Sequence, residues 1–248
     1  MPSLTIVSSA VTSAVVASSL GAQSPRAANP ERPTVATHAY TVAAGFAELE
    51  QGARAFGVAA LREATAWEFN LKIGLARNLQ LGMFGPGYVR TSDGVGIGDL
   101  GIALKLSHPV SERTTLAVVP SATFPTGNQQ RGLGAGRVLA SVVGVVSGDL
   151  PARFHFDVNA GPVAIGAGKP QWFTSVGLSR GGSIGFAGEL FDFTAGAGGP
   201  RQRGLLLAVL LSAAEWAVID AGGAAGLTRE TPDQIFVGLT TNWGRIFK

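Results

Sequence analysis

The chain of 248 residues has no cysteine. That removes disulfide scaffolds, thiolate metal sites, iron–sulfur clusters and thiol nucleophiles. Charge is also scarce, at 14% of residues, where a soluble domain carries about a quarter. Three histidines, His38, His108 and His155, leave little for a histidine-rich metal centre. The net charge of +3 is small and scattered, so no nucleic-acid partner is expected. Long apolar runs are missing as well. The stretch from Gly204 to Ala214 is eleven residues long and is followed by Glu215, short of the roughly twenty a membrane helix needs. No metal or cofactor site follows from this composition.

Glycine is abundant, with 35 residues, and 46% of the chain is apolar. A chain this apolar buries enough surface to offset its ordering entropy, so it folds. From Leu4 to Ala22 it is apolar and small, with no charge before Arg26. Residues 1–22 therefore read as an export signal, with Leu20-Gly21-Ala22 as a cleavage site. Residues 23–44 hold Pro25, Pro30 and Pro33 and have the composition of a linker or extended arm, periplasmic or lumenal. Residues 45–248 behave differently.

There the side chains alternate with period two. Trp67, Phe69, Leu71, Ile73 and Leu75 fall on one face; Glu68, Asn70, Lys72 and Gly74 fall on the other. Successive residues of a strand point to opposite faces, whereas a helix would mix the two sets. The same alternation recurs at Leu79–Phe84, Asp99–Leu106, Arg153–Asn159, Trp172–Ser179 and Ile235–Trp243. Weaker windows bring the total to about twelve strands, each near the nine to eleven residues a tilted strand needs to span a bilayer. Short turns and mostly longer, glycine-rich loops alternate between them. The expected fold is all-β: a transmembrane, antiparallel, up-and-down β-barrel with long loops at one end and short turns at the other.

A soluble barrel turns its apolar face inward; a membrane barrel turns it outward. Here the polar face carries mostly small residues and isolated charges, while the other is bulky and aliphatic, as lipid contact requires. Pointing Lys72 at lipid would cost about 2–4 kcal/mol near the bilayer centre. Trp67 and Trp172 are expected at the loop end and Trp216 and Trp243 at the turn end, as two aromatic girdles. The implied location is the cell outer membrane, with outer-membrane lipid and the barrel-assembly machinery as partners.

Several segments resemble one family. Glu31-Arg32-Pro33 with Tyr40–Glu50, Gly98–Lys105, Phe124-Pro125-Thr126-Gly127, Glu189-Leu190-Phe191 and Ile219–Gly222 occur in the order found in the outer-membrane transporters of the meta-pathway phenol-degradation type. The resemblance implies a channel or transporter for small, hydrophobic or aromatic permeants. A closed barrel with a structural or adhesive role is the alternative.

Enzymatic readings are weak. Gly181-Gly182-Ser183-Ile184-Gly185 fits a nucleophile pattern, but that pattern needs a strand–turn–helix with a later histidine, and none follows His155. Gly166–Pro170 lacks the Ser or Thr that a phosphate loop requires after lysine. Gly132–Gly136 reads as a flexible external loop.

The inward face is expected to carry the charged residues Glu48, Glu68, Lys72, Asp99, Lys105, Arg153, Asp157, Glu189 and Asp220, with His155 beside Asp157. Such charges pair across strands or form a selective constriction. Phe84, Phe173, Phe191 and Phe236 share that face, either filling volume or forming a greasy path. The arm at 23–44 is expected to occlude part of the pore.

Overall fold

The computed structural model describes residues 24–57, 64–166, 168–196 and 199–248. The expected export signal at 1–22 lies outside the described residues. The wall is built from β1 (Phe46–Phe56), β2 (Ala64–Ala76), β3 (Leu79–Arg90), β5 (Leu100–Pro109), β6 (Thr114–Phe124), β7 (Leu139–Asp149) and β8 (Phe154–Val163). It continues through β9 (Gln171–Arg180), β10 (Ile184–Phe193), β11 (Gln202–Ala214), β12 (Ala217–Gly226) and β13 (Gln234–Arg245). The two-residue β4 (Val95–Gly96) is a rung on the loop end of β3 and adds nothing to the circumference. Every wall strand pairs antiparallel with its sequence neighbours, and β1 also pairs with β13, so the twelve close into a barrel. Closure satisfies every strand edge, which an open sheet would leave unpaired.

The alternation read from the sequence becomes an outside and an inside. On β11, Leu205, Leu207, Val209 and Leu211 are exposed, and Leu207 is 61% so; Leu206 between them is fully buried. On β9, Trp172, Val176 and Leu178 face out, while Phe173 and Ser175 face in. The outer wall is therefore a belt of large aliphatic side chains, inverted relative to a soluble protein. All four tryptophans lie on this outer surface, 40–54% exposed. Trp67 and Trp172 sit toward the loop ends of their strands; Trp216 lies in the β12 turn and Trp243 near the turn end of β13. Tyr88 stands opposite Trp67 across the β2–β3 ladder and extends the loop-end aromatics.

The loops sort as expected. Residues 77–78, 110–113, 181–183 and 215–216 are short turns at one end, and 125–138, 164–170 and 227–233 are longer loops at the other. Gly181 to Ser183 joins two strands, not a strand and a helix, so the nucleophile geometry is absent there. The Gly132–Gly136 run is more constrained than a flexible loop. The Asp99 carboxylate accepts from the backbone N–H of Gly127 (3.0 Å) and of Ala135 (2.6 Å), which pins the loop across its base.

Candidate functional site

Residues 24–44 lie inside the barrel. Apart from a bridge between Ala44 and Gly74, their backbone does not pair with the wall strands, whose own N–H and C=O groups are consumed by the barrel ladders. Buried peptide groups still need partners, and the inward side chains supply them. Glu48 accepts from Asn29 N (2.8 Å), and Glu50 accepts from Glu31 N (2.6 Å) and Arg32 N (3.2 Å). Glu189 accepts from Val35 N and Ala36 N at 2.7 and 2.8 Å. Asn159 accepts from Thr37 N, Ser147 from Ala39 N and Gln80 from Val42 N. Eight arm N–H groups are thus held by six side chains, carried on β1, β3, β7, β8 and β10. Strands on all sides of a closed wall can share one segment only if that segment runs through the lumen.

The arm is a loop with both ends at the turn end of the barrel. Ala28 N donates to Glu215 O in the β11–β12 turn, and Thr41 Oγ1 donates to Arg77 O in the β2–β3 turn. Its apex, around Arg32 to Val35, reaches the level of Asp220 and Glu189. Close approach to the wall needs glycine. At Gly74 a methyl group would collide with the carbonyl oxygens of Val42 and Ala43, so only a bare backbone lets the arm return to β1.

The inward charges form pairs, some within the wall and some with the arm. Lys72 Nζ lies 2.6 Å from both Glu48 and Glu50, a fully buried cluster made by neighbouring wall strands. Lys105 pairs with Glu31 of the arm and donates to His38 O at 2.7 Å. Glu68 receives Arg54 at 3.1 Å and Arg32 at 3.6 Å, and Asp220 receives Arg32 at 3.4 Å. Burial opposes the ionisation of Glu31, but Lys105 and Lys72 beside it hold its carboxyl well below the usual range. Burial, with Lys105 adding to it, pushes the His38 imidazole down to about 4. His38 is therefore neutral near neutral pH.

One expected lumen residue lies elsewhere, and a second is taken up by a loop. Arg153 is exposed, in the turn before β8, where its backbone is left-handed (φ 64°) and its side chain leaves the inner face. Asp99 precedes β5 and serves the loop described above. His155 and Asp157 do meet, at 3.1 Å, but the other ring nitrogen of His155 faces Asp149 at 2.8 Å. Ser147 donates to Asp157 at 2.5 Å, not to the histidine. With both ring nitrogens on carboxylates, the imidazole cannot act as a base toward a serine, so this is no triad. Tyr40 closes the cluster, donating to Asp149 at 3.2 Å.

The four phenylalanines divide. Phe173, Phe191 and Phe236 form one apolar cluster with Leu206 on the β9–β13 side, and Phe193 stacks on Phe173 at 4.6 Å between centroids. Phe84 lies across from them, its ring over Gly101. Between the arm apex and the β1–β6 wall is a cavity of about 320 Å³, lined by Arg32, Thr34, Arg54, Glu68, Phe84 and Ser121 among others. The Arg54 guanidinium lies 5.1 Å over the Phe236 ring and joins the polar and aromatic halves.

No family model matches the chain, and no curated protein matches it. Solved structures do. An outer membrane channel from Pseudomonas putida F1 superposes with a TM-score of 0.64 at 12% identity, over 83% of this chain and 98% of that one. The KdgM porin gives 0.59 at 6% identity, over 78% and 98%. The NanC porin gives 0.58 at 7% identity, over 79% and 98%. The fold is that of porin-like channel barrels. At these identities the likeness is one of architecture; the chemistry of the lumen belongs to this chain.

Proposed function

We propose that the chain is an outer-membrane channel for small molecules, and that the arm at 24–44 is its occluding element. One observation carries the reading: a closed wall with aliphatic side chains outside surrounds a polar interior that still holds a 320 Å³ cavity above the arm. A barrel needed only as a structural post has no use for such a vestibule. The permeant class suggested by the meta-pathway resemblance, small hydrophobic or aromatic molecules, is supported by Phe84, which lines the cavity. KdgM has been solved with an oligogalacturonate, which supports small-molecule passage through this kind of barrel. Residues 1–22 would then serve as the export signal.

A second reading is favoured by the arm itself. Six wall side chains grip its backbone, as expected of a permanent stopper in a closed, structural barrel. Flux decides between the two. Proteoliposomes carrying the protein should take up phenol or toluene faster than empty vesicles, and faster still once residues 24–40 are deleted. Uptake equal to that of empty vesicles from both forms would leave the structural barrel as the answer.

A further inference from the structure

The outer wall carries an ionic cluster just above its apolar belt. Asp192 on β10 stands opposite Arg203 on β11, one rung beyond the outward pair Leu190 and Leu205. The Asp192 carboxylate receives Arg201 Nε at 3.0 Å and Nη2 at 3.3 Å, and Arg203 Nε at 3.0 Å. Two guanidiniums on one carboxylate leave a net positive charge. Three of the six guanidinium nitrogens have no hydrogen-bond partner among the described residues. Both arginines are well exposed, at 50% and 44% of the side chain.

The cluster is built rather than incidental. Arg203 N donates to Thr231 Oγ1 at 2.9 Å and Leu227 N donates to Arg203 O at 2.7 Å, so the next loop fixes the Arg203 backbone. Thr228 Oγ1 donates to Arg201 O and is hydrogen-bonded to Thr231. A charged side chain on the lipid face is costly in hydrocarbon and nearly neutral at the interface. Its rung therefore marks where acyl chains give way to headgroups. Trp172, two residues toward the loop end from Thr174 (the β9 partner of Asp192), occupies the same border.

We infer that Arg201 and Arg203 form a binding site for the phosphate of a lipid headgroup in the leaflet at the loop end. Guanidinium forks match phosphate oxygens in geometry and charge. Asp192 holds the two forks side by side and keeps them from folding back onto the wall. The inference rests on the membrane-spanning reading given above.

The test uses the detergent-purified barrel and diphosphoryl lipid A, with bound lipid read by native mass spectrometry. Arg201→Gln/Arg203→Gln should weaken binding by about tenfold, the usual effect of losing charge-assisted contacts. Dephosphorylated lipid A should bind the wild type no better than the double variant does. Equal binding of lipid A by wild type and double variant would overturn the inference. So would full displacement of lipid A by millimolar inorganic phosphate, which would indicate a simple anion site. A chain that stays folded without detergent would refute the membrane reading itself, whatever the arginines do.

Discussion

Arg32 Nε lies 3.4 Å from Asp220 Oδ2, joining the apex of the arm to a wall strand 188 residues away. The two are almost entirely buried, at 10% and 1% side-chain exposure. The guanidinium gets there because the wall has a flat seat: Gly52 and Gly238 face each other across the β1–β13 ladder, directly under it. A methyl group at Gly238 would collide with Arg32 Nε and would lie 2.6 Å from Asp220 Oδ2, with no backbone atom among its nearest neighbours. Gly238→Ala should therefore unseat the arm while sparing the wall. Single-channel conductance should rise toward that of the arm-deleted form. Gly82→Ala, where a methyl meets only ordinary contacts, should leave it unchanged.

Removing one member of a buried ion pair strands the other without solvent. Arg32→Met should destabilise the docked state by about 3–5 kcal/mol. Adding Asp220→Asn to the same chain removes the stranded charge and should recover part of that loss. The heat-shift midpoint of the detergent-solubilised barrel measures both.

The wall was legible in the sequence because period-two alternation is local: Trp67 to Leu75 declares its own two faces. Occlusion by the arm was expected, but the contacts that hold it were not legible. Pro25, Pro30 and Pro33 say only that the segment is neither helix nor central strand. What holds it is a set of carboxylates, amides and a hydroxyl as distant as Glu189, 153 residues from Ala36. Gln80 and Asn159 stand on the inward face by parity, yet nothing in their own windows says that each accepts from an arm N–H. Glu50 and Arg54 share the parity of Glu48, which was the one signal available for them. Arg153 misled because the alternation ran one residue past the strand into a turn. Lumen charges were expected to pair across strands, and Lys72 with Glu48 and Glu50 and Arg54 with Glu68 do so; the further bonds that most of them make to the arm are what periodicity cannot reveal.

Acid should loosen the arm. Docked His38 titrates near 4, against 6.5 when free, because burial and Lys105 disfavour its cation. The displaced arm therefore binds the proton more tightly, and docking is strongest above pH 6.5. It weakens as pH falls from 6.5 to 4, by a factor on the order of a hundred, since each tenfold difference in proton affinity is worth about 1.4 kcal/mol. Docked Glu31 stays ionised across this window, and because a displaced Glu31 takes up a proton near 4.5 it adds to the loosening only at the acid end. Open probability in planar bilayers should rise over that range, and His38→Gln should flatten the response.

Without the arm, the wall is acidic. Glu48, Glu50, Glu68, Asp157, Glu189 and Asp220 then outnumber Arg54, Lys72 and Lys105, and Lys105 has lost Glu31. Deleting residues 24–40 should make the pore cation-selective. The reversal potential under a tenfold potassium chloride gradient gives the sign, and a value near zero would contradict it.

The central claim is that the aliphatic face of the wall meets hydrocarbon. A tryptophan at Val176, which faces outward at 59% exposure, would report on it in a chain whose four native tryptophans are changed to Phe. In vesicles of lipids brominated at successive acyl positions, V176W fluorescence should be quenched most strongly by bromines deep in the chain and hardly at all by aqueous iodide. Quenching by iodide with no response to any brominated lipid would contradict the account.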